Sequence, residues 1–168
     1  MALHIVLFEP EIPQNTGNIA RTCAVIGASL DLVYPLGFNI DEKSVKRAGL
    51  DYWNQLNITK WESISEFIEA KKNERLYMFT TKAPKSYHQA DYTGPGDVYL
   101  IFGKETKGIP EEVLVQFKDN CVKIPMREET RSLNLSNSVA IAAYEYLRQL
   151  DFPGLSETGH LHNLHWKE

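Results

Sequence analysis

Short apolar runs alternate with amphipathic ones along this chain. Leu3 to Phe8, rich in Leu, Ile, Val and Phe, has the pattern of a strand buried on both faces. Pro10 and Pro13 keep the next stretch extended, and Asn15 or Thr16 can cap a helix running to about Gly27, which suits a left-handed C-terminal position. Leu30 to Tyr34 predicts a second strand, closed by Pro35 and Gly37, and Ser44 to Arg47 a short basic helix ended near Gly49. Ile58 and Trp61 precede a helix from about Ser63 to Lys72, with Ile64, Phe67 and Ile68 on one side. Leu76 to Thr80, Val98 to Phe102 and Val122 to Ile124 predict three more strands. The segment from Lys82 to Asp97 is polar and turn-rich, a surface loop or a short irregular strand. Pro110 fits the first turn of a helix carrying Val113, Leu114 and Phe117. From Leu135 the positions Val139, Ala142, Ala143, Tyr146, Leu147 and Leu150 recur three and four apart, a stripe that faces a core. Ser136 or Asn137 can cap that helix. Strands alternating with helices predict an α/β domain with a mainly parallel sheet flanked by helices.

Composition narrows the class. The 168 residues, 43% hydrophobic and 24% charged, fit one ordinary globular domain, with residues 1–154 patterned as a core and 155–168 as a flexible tail. No apolar run approaches the roughly 20 residues that span a bilayer, and the first residues read as a strand rather than a signal peptide. Two distant cysteines, Cys23 and Cys121, make no disulfide framework, so a cytoplasmic location is expected. The formal charge of −4 argues against indiscriminate nucleic-acid binding but leaves room for a local basic face. Candidate clusters are Lys43, Lys46 and Arg47; Lys82 and Lys85; Lys104 and Lys107; and Arg127 and Arg131.

In parallel α/β sheets, ligands gather beyond the carboxyl ends of the strands. Three loops there carry unusual polar content: Asn15 to Asn18 with Arg21, Gly103 to Pro110, and Ile124 to Asn134. Gly103-Lys104 is followed by Glu105 and lacks the earlier glycine of a phosphate-binding loop, and no glycine fingerprint for dinucleotides is present. His160, His162 and His165 lie close together in a polar tail without a scaffold, so no dedicated metal site is expected.

The motifs NTGNIAR (15–21), FGKETKGIP (102–110) and IPMREETRSLNLSNSVAIAAYEYLRQL (124–150) resemble the three motifs of SPOUT-superfamily RNA 2′-O-methyltransferases. The opening IVLFEPEIPQNTGNIAR and the segment PLGFNIDEKSVKRAGLDY are similar to one branch, the stand-alone tRNA (cytidine/uridine-34) 2′-O-methyltransferases of the TrmL/YibK type. The resemblance spans roughly residues 3–154 in order.

That resemblance implies a fold whose C-terminal part makes a deep trefoil knot, a homodimer, and S-adenosylmethionine as methyl donor with no metal. It implies a cofactor pocket from Phe79, Gly103, Ile124 and Ser132, with Met126, Leu133 and Asn137 nearby. It implies Asn15, Arg21, Glu105, Ser132 and Asn134 as the catalytic set. Gly103 would let backbone approach the ligand. A guanidinium stays protonated, so Arg21 is better suited to holding a phosphate and developing alkoxide charge than to acting as a base. Asn134 and Ser132 could orient the nucleotide or relay the proton. Glu105 could position Arg21 or Asn15, or cap the helix that follows it. The implied substrate is the wobble nucleotide of the tRNA anticodon stem-loop, in leucine isoacceptors, with DNA excluded by the need for a 2′-hydroxyl. Alternatives are a 2′-O-methyltransferase of ribosomal RNA and a non-catalytic RNA-binding protein with the same fold.

Overall fold

The computed structural model of the chain describes residues 1–41, 43, 47 and 53–167. Its centre is a sheet of six parallel strands: β1 (Leu3–Phe8), β2 (Ser29–Val33), β3 (Ile58–Trp61), β4 (Arg75–Phe79), β5 (Val98–Phe102) and β6 (Cys121–Val122). They pair in the order β3-β2-β1-β5-β4-β6. The helices α1 (Pro13–Ile26), α2 (Ile64–Lys71), α3 (Glu111–Leu114) and α4 (Leu135–Gln149) flank the sheet.

Alternate side chains of each strand point to opposite faces, and each face has its own core. Ile5, Leu7, Leu30 and Leu100 pack with Ile19, Ala20 and Cys23 of α1 and with Val139, Ala142 and Ala143 of α4. On the other face Val6, Phe8, Met78 and Ile101 meet Phe67 of α2 and Leu114 of α3. Asp31, 1% exposed at the centre of β2, has both carboxylate oxygens engaged. It accepts from Trp61 Nε1 at 2.8 Å and lies 2.9 Å from His4 Nδ1, the pairing a buried charge requires. Burial pushes the Cys23 thiol up to about 12, which keeps it protonated and inert.

The strand order reverses between β1 and β5, the kind of switch point where loops diverge and leave a crevice. Register makes that edge even, because Leu7 of β1 and Phe79 of β4 both lie opposite Phe102 of β5. The three polar loops singled out in the sequence therefore leave the sheet close together.

Several boundaries differ from those the pattern predicts. Ile58–Trp61 is the edge strand β3 beside β2 rather than only a lead-in to a helix; four residues, three half-buried and Lys60 exposed, are too few to show a period. The strand expected at Val122–Ile124 is the two-residue β6, and Lys82 to Asp97 holds a short 3₁₀ turn at Tyr87–Gln89 with one bridge, Ser86 to Lys123. The Pro110 helix stops at Leu114 and continues as 3₁₀ turns that break helical geometry at Phe117. The basic helix expected from Ser44 to Arg47 lies, apart from Arg47, outside the described residues. Beyond α4, Leu155 packs on the core and residues 156–167 carry no regular element. No helix among the described residues is long and apolar enough to cross a membrane.

Candidate functional site

The first loop and the second are clasped together by reciprocal bonds. Glu105 takes the backbone N–H groups of Glu11 (2.8 Å) and Ile12 (3.0 Å) on its two carboxylate oxygens. Glu11 in turn accepts from the backbone N–H of Thr106 at 3.0 Å and from its hydroxyl at 2.9 Å. Lys104 Nζ pairs with Glu9 at 2.8 Å, and this hydrogen bond raises the ammonium pKa. Helix α1 starts at Pro13 with Ile12 as its N-cap and no capping side chain of its own. The expected caps Asn15 and Thr16 lie inside the helix and are buried. Glu105 fills the place of a local cap, its negative charge set at the positive end of the α1 dipole.

A second chain of bonds reaches the third loop. Asn15 Nδ2 donates to Glu105 Oε1 at 3.3 Å, and Asn134 Nδ2 donates to Asn15 Oδ1 at 3.1 Å. Asn134 Oδ1 then accepts from Ser136 N (2.9 Å), Ser136 Oγ (2.6 Å) and Asn137 N (3.3 Å), so Asn134 is the N-cap of α4 in place of Ser136 or Asn137. Both ends dictate the amide orientations. A carboxylate only accepts and backbone N–H groups only donate, so each asparagine can face just one way. Glu105, Asn15 and Asn134 thus tie three loops, 119 residues apart at the extremes, into one rigid corner.

Gly103 shapes the second loop. A Cβ there would stand 2.0 Å from the carbonyl carbon of Gly108 and 2.1 Å from Ile109 N. The close approach that needs glycine here is to the loop's own backbone. Gly108, at φ 68°, closes the same turn by donating to Lys104 O at 2.8 Å.

These loops enclose a cleft of about 730 Å³, within the usual range of small-ligand sites. Phe79 and Phe102 form part of its lining, stacked at 4.9 Å. Ile124, Met126, Leu133 and Leu135 add apolar surface, while Thr80, Thr81, Ser132 and Ser138 offer hydroxyls. Ser132 makes no hydrogen bond among the described residues, so its hydroxyl is available to a ligand. The cleft collects Phe79, Gly103, Ile124, Met126, Ser132 and Leu133 with Asn15, Glu105 and Asn134.

Two expected residues stand apart. Asn137 is exposed on the first turn of α4 and does not line the cleft, although its N–H meets the Asn134 cap. Arg21 is exposed on α1 outside the cleft. Six residues beyond Asn15, it lies roughly 120° round the helix and about 9 Å along it. Glu105 accordingly positions Asn15, not Arg21, and caps the approach to α1 rather than its own following helix. Sequence reasoning missed Glu9, Glu11 and Thr106; the matched spacing of Glu9 and Glu11 with Lys104 and Thr106 was the available signal.

Thr16 Oγ1 is fully buried with no hydrogen-bond partner among the described residues. Thr16→Val is expected to raise unfolding stability by about 1 kcal/mol, since it removes an unsatisfied hydroxyl at constant shape. Urea denaturation of the variant beside the wild type measures this, and a loss of stability would mean that the hydroxyl has a partner in solution.

Against known proteins, the model of the SpoU rRNA Methylase family matches residues 2–144. The tRNA (cytidine(34)-2′-O)-methyltransferase of Saccharophagus degradans is 47% identical over 152 residues, 90% of this chain and 97% of its own length. A solved structure described as giving insight into the 2-OH methylation of C/U34 on tRNA is 45% identical with a TM-score of 0.83, covering 89% of this chain and 97% of that one. At the level of fold alone, the SpoU methyltransferase AviRb from Streptomyces viridochromogenes, solved in complex with the cofactor AdoMet, gives a TM-score of 0.77 at 23% identity. The match covers 89% of this chain and 58% of AviRb.

Proposed function

The chain belongs to the SpoU rRNA Methylase family, and on that premise we propose that it methylates the ribose 2′-hydroxyl of the wobble nucleotide, position 34, of tRNA. The relatives named for this reaction match it over nearly their whole length. The observation that carries the reading is the Glu105–Asn15–Asn134 corner at the mouth of the cleft, where all three family motifs meet.

The cleft fits S-adenosylmethionine. Phe79, Ile124, Met126 and Leu133 offer apolar cover for an adenine ring, and Ser132 a free hydroxyl for its polar groups. The bound cofactor supplies an electrophilic methyl group on sulfur. Methyl transfer needs the ribose oxygen, methyl carbon and sulfur in line, and the hydroxyl proton removed. Asn15 and Asn134 have most of their capacity committed to each other, to Glu105 and to the α4 N-terminus, so their part is to hold the loops rather than to relay a proton. Arg21 holds the neighbouring phosphate and stabilises alkoxide charge.

Because Arg21 lies outside the cleft of its own chain, a homodimer completes the site, with Arg21 of one subunit reaching the cleft of the other. Val25 shares the Arg21 face of α1 and is 55% exposed; Ile141 and Tyr144 of α4 are exposed as well, an apolar surface suited to such pairing. The further features of the reading are a single domain over residues 1–154 with a flexible tail, a trefoil knot formed by its C-terminal part, a cytoplasmic location, and leucine isoacceptors as substrates through their anticodon stem-loops.

The test is methyl transfer from labelled S-adenosylmethionine to tRNA lacking the modification, followed by nucleoside mapping. Label in a 2′-O-methylated residue 34 is the expected result, and transfer to ribosomal RNA alone would overturn the substrate. Arg21→Ala is expected to lower transfer at least 100-fold while S-adenosylmethionine affinity stays within about twofold. Equal loss of both would make Arg21 structural. Mixed dimers of Arg21→Ala and Glu105→Ala subunits are expected to recover activity, because one of their two clefts then has both residues.

A further inference from the structure

The basic residues near the cleft fall into two kinds once their partners are known. Lys104 is held by Glu9 at 2.8 Å and Lys82 by Glu111 at 3.1 Å. Arg127 lies 3.8 Å from Glu129 and does not line the cleft. Lys107, Lys123 and Arg131 line the cleft and pair with no carboxylate among the described residues. Two of the sequence clusters are thereby divided: Lys104 is held by Glu9 and Lys107 is open, Arg127 is turned to Glu129 and Arg131 is open.

We propose that Lys107, Lys123 and Arg131 form the phosphate-binding surface that seats an RNA strand over the cleft. The proposal rests on the reading of the protein as an RNA methyltransferase. The three cations come from two connections: Lys107 from the loop after β5, and Lys123 and Arg131 from the start and the end of the loop that joins β6 to α4. The loops after β5 and β6 leave strands two places apart, a separation of about 10 Å. The backbones at Lys107 and Lys123 are held, while all three side chains carry no ion pair among the described residues. Lys123 donates its N–H to Lys85 O and accepts from Tyr87 N, both at 2.9 Å, and Lys107 sits in the turn closed between Lys104 and Gly108. In a chain of net charge −4, cations without local partners are the ones available to attract a polyanion. Phosphate contacts of this kind position a strand and carry no sequence information.

The test compares Lys107→Gln, Lys123→Gln and Arg131→Gln with Lys60→Gln, an exposed control on the far edge strand β3. Equilibrium binding is measured across a salt series for an unmodified tRNA anticodon stem-loop and for an unrelated RNA hairpin of equal length. S-adenosylmethionine affinity is measured separately without RNA. Each of the three variants is expected to weaken RNA binding about three- to tenfold and to lower the slope of log affinity against log salt by roughly 0.7–0.9. The loss should be equal on both RNAs, with cofactor affinity unchanged and Lys60→Gln matching the wild type. Wild-type slopes in the three variants, a loss confined to one RNA, or a parallel loss of cofactor affinity would each overturn the proposal. If the wild-type protein shows this cation dependence yet transfers no methyl group, the surface stands and the functional reading falls.

Discussion

Gly103→Ala is expected to remove at least 99% of methyl transfer and to destabilise the chain by about 3 kcal/mol. The added methyl would stand 2.0 Å from the Gly108 carbonyl carbon, and backbone atoms cannot rotate out of the way as a side chain can. The loop has to open, and with it move Lys104, Glu105 and Thr106, which carry the bonds to Glu9, Glu11, Ile12 and Asn15. One methyl group thus strikes the clasp between two motifs. Thermal unfolding and single-turnover transfer measure the two effects. A variant that loses activity without losing stability would place Gly103 against the ligand instead of against its own loop.

Glu105→Gln is expected to cost about 2 kcal/mol of stability and to reduce transfer about 100-fold, although its shape is unchanged. Both carboxylate oxygens accept: one from Glu11 N, the other from Ile12 N and Asn15 Nδ2. A carboxamide has one acceptor, so its NH₂ must face at least one N–H group. If it turns to Asn15, that side chain must flip, and its bond to Asn134 then pairs two NH₂ groups. Glu105→Asp keeps the charge but shortens the reach, and is expected to fall between wild type and Gln. Stability, transfer and S-adenosylmethionine affinity measured together separate the roles. A Gln variant that is fully active and stable would show that the corner is not needed.

The elements with a long or continuous apolar pattern were legible before any coordinates. The strand at Leu3–Phe8 and the α4 stripe from Val139 to Leu147 stand where periodicity puts them, because burial on a known face selects residues at a regular spacing. The left-handed Gly27 likewise ends α1 as its type predicts. Edge strand Ile58–Trp61 was not legible, since its four residues, none fully buried, gain their ladder only from β2. The motif residues of the cleft came from resemblance, and Arg21 shows its limit: motif membership names a residue but does not place it in the cleft of its own chain.

Sequence by itself determined the alternation of strands and helices, the two-sided burial of the central sheet and the three polar loops at strand ends. These follow from near-neighbour spacing and side-chain type, which a linear chain carries explicitly. Only the tertiary structure decided what caps α1 and α4, which lysines are engaged, and why Gly103 must be glycine. Those depend on which acceptor, carboxylate or backbone atom lies within about 3 Å. The cap-like partner at the start of α1 is more than 90 residues away along the chain, and only folding brings it there.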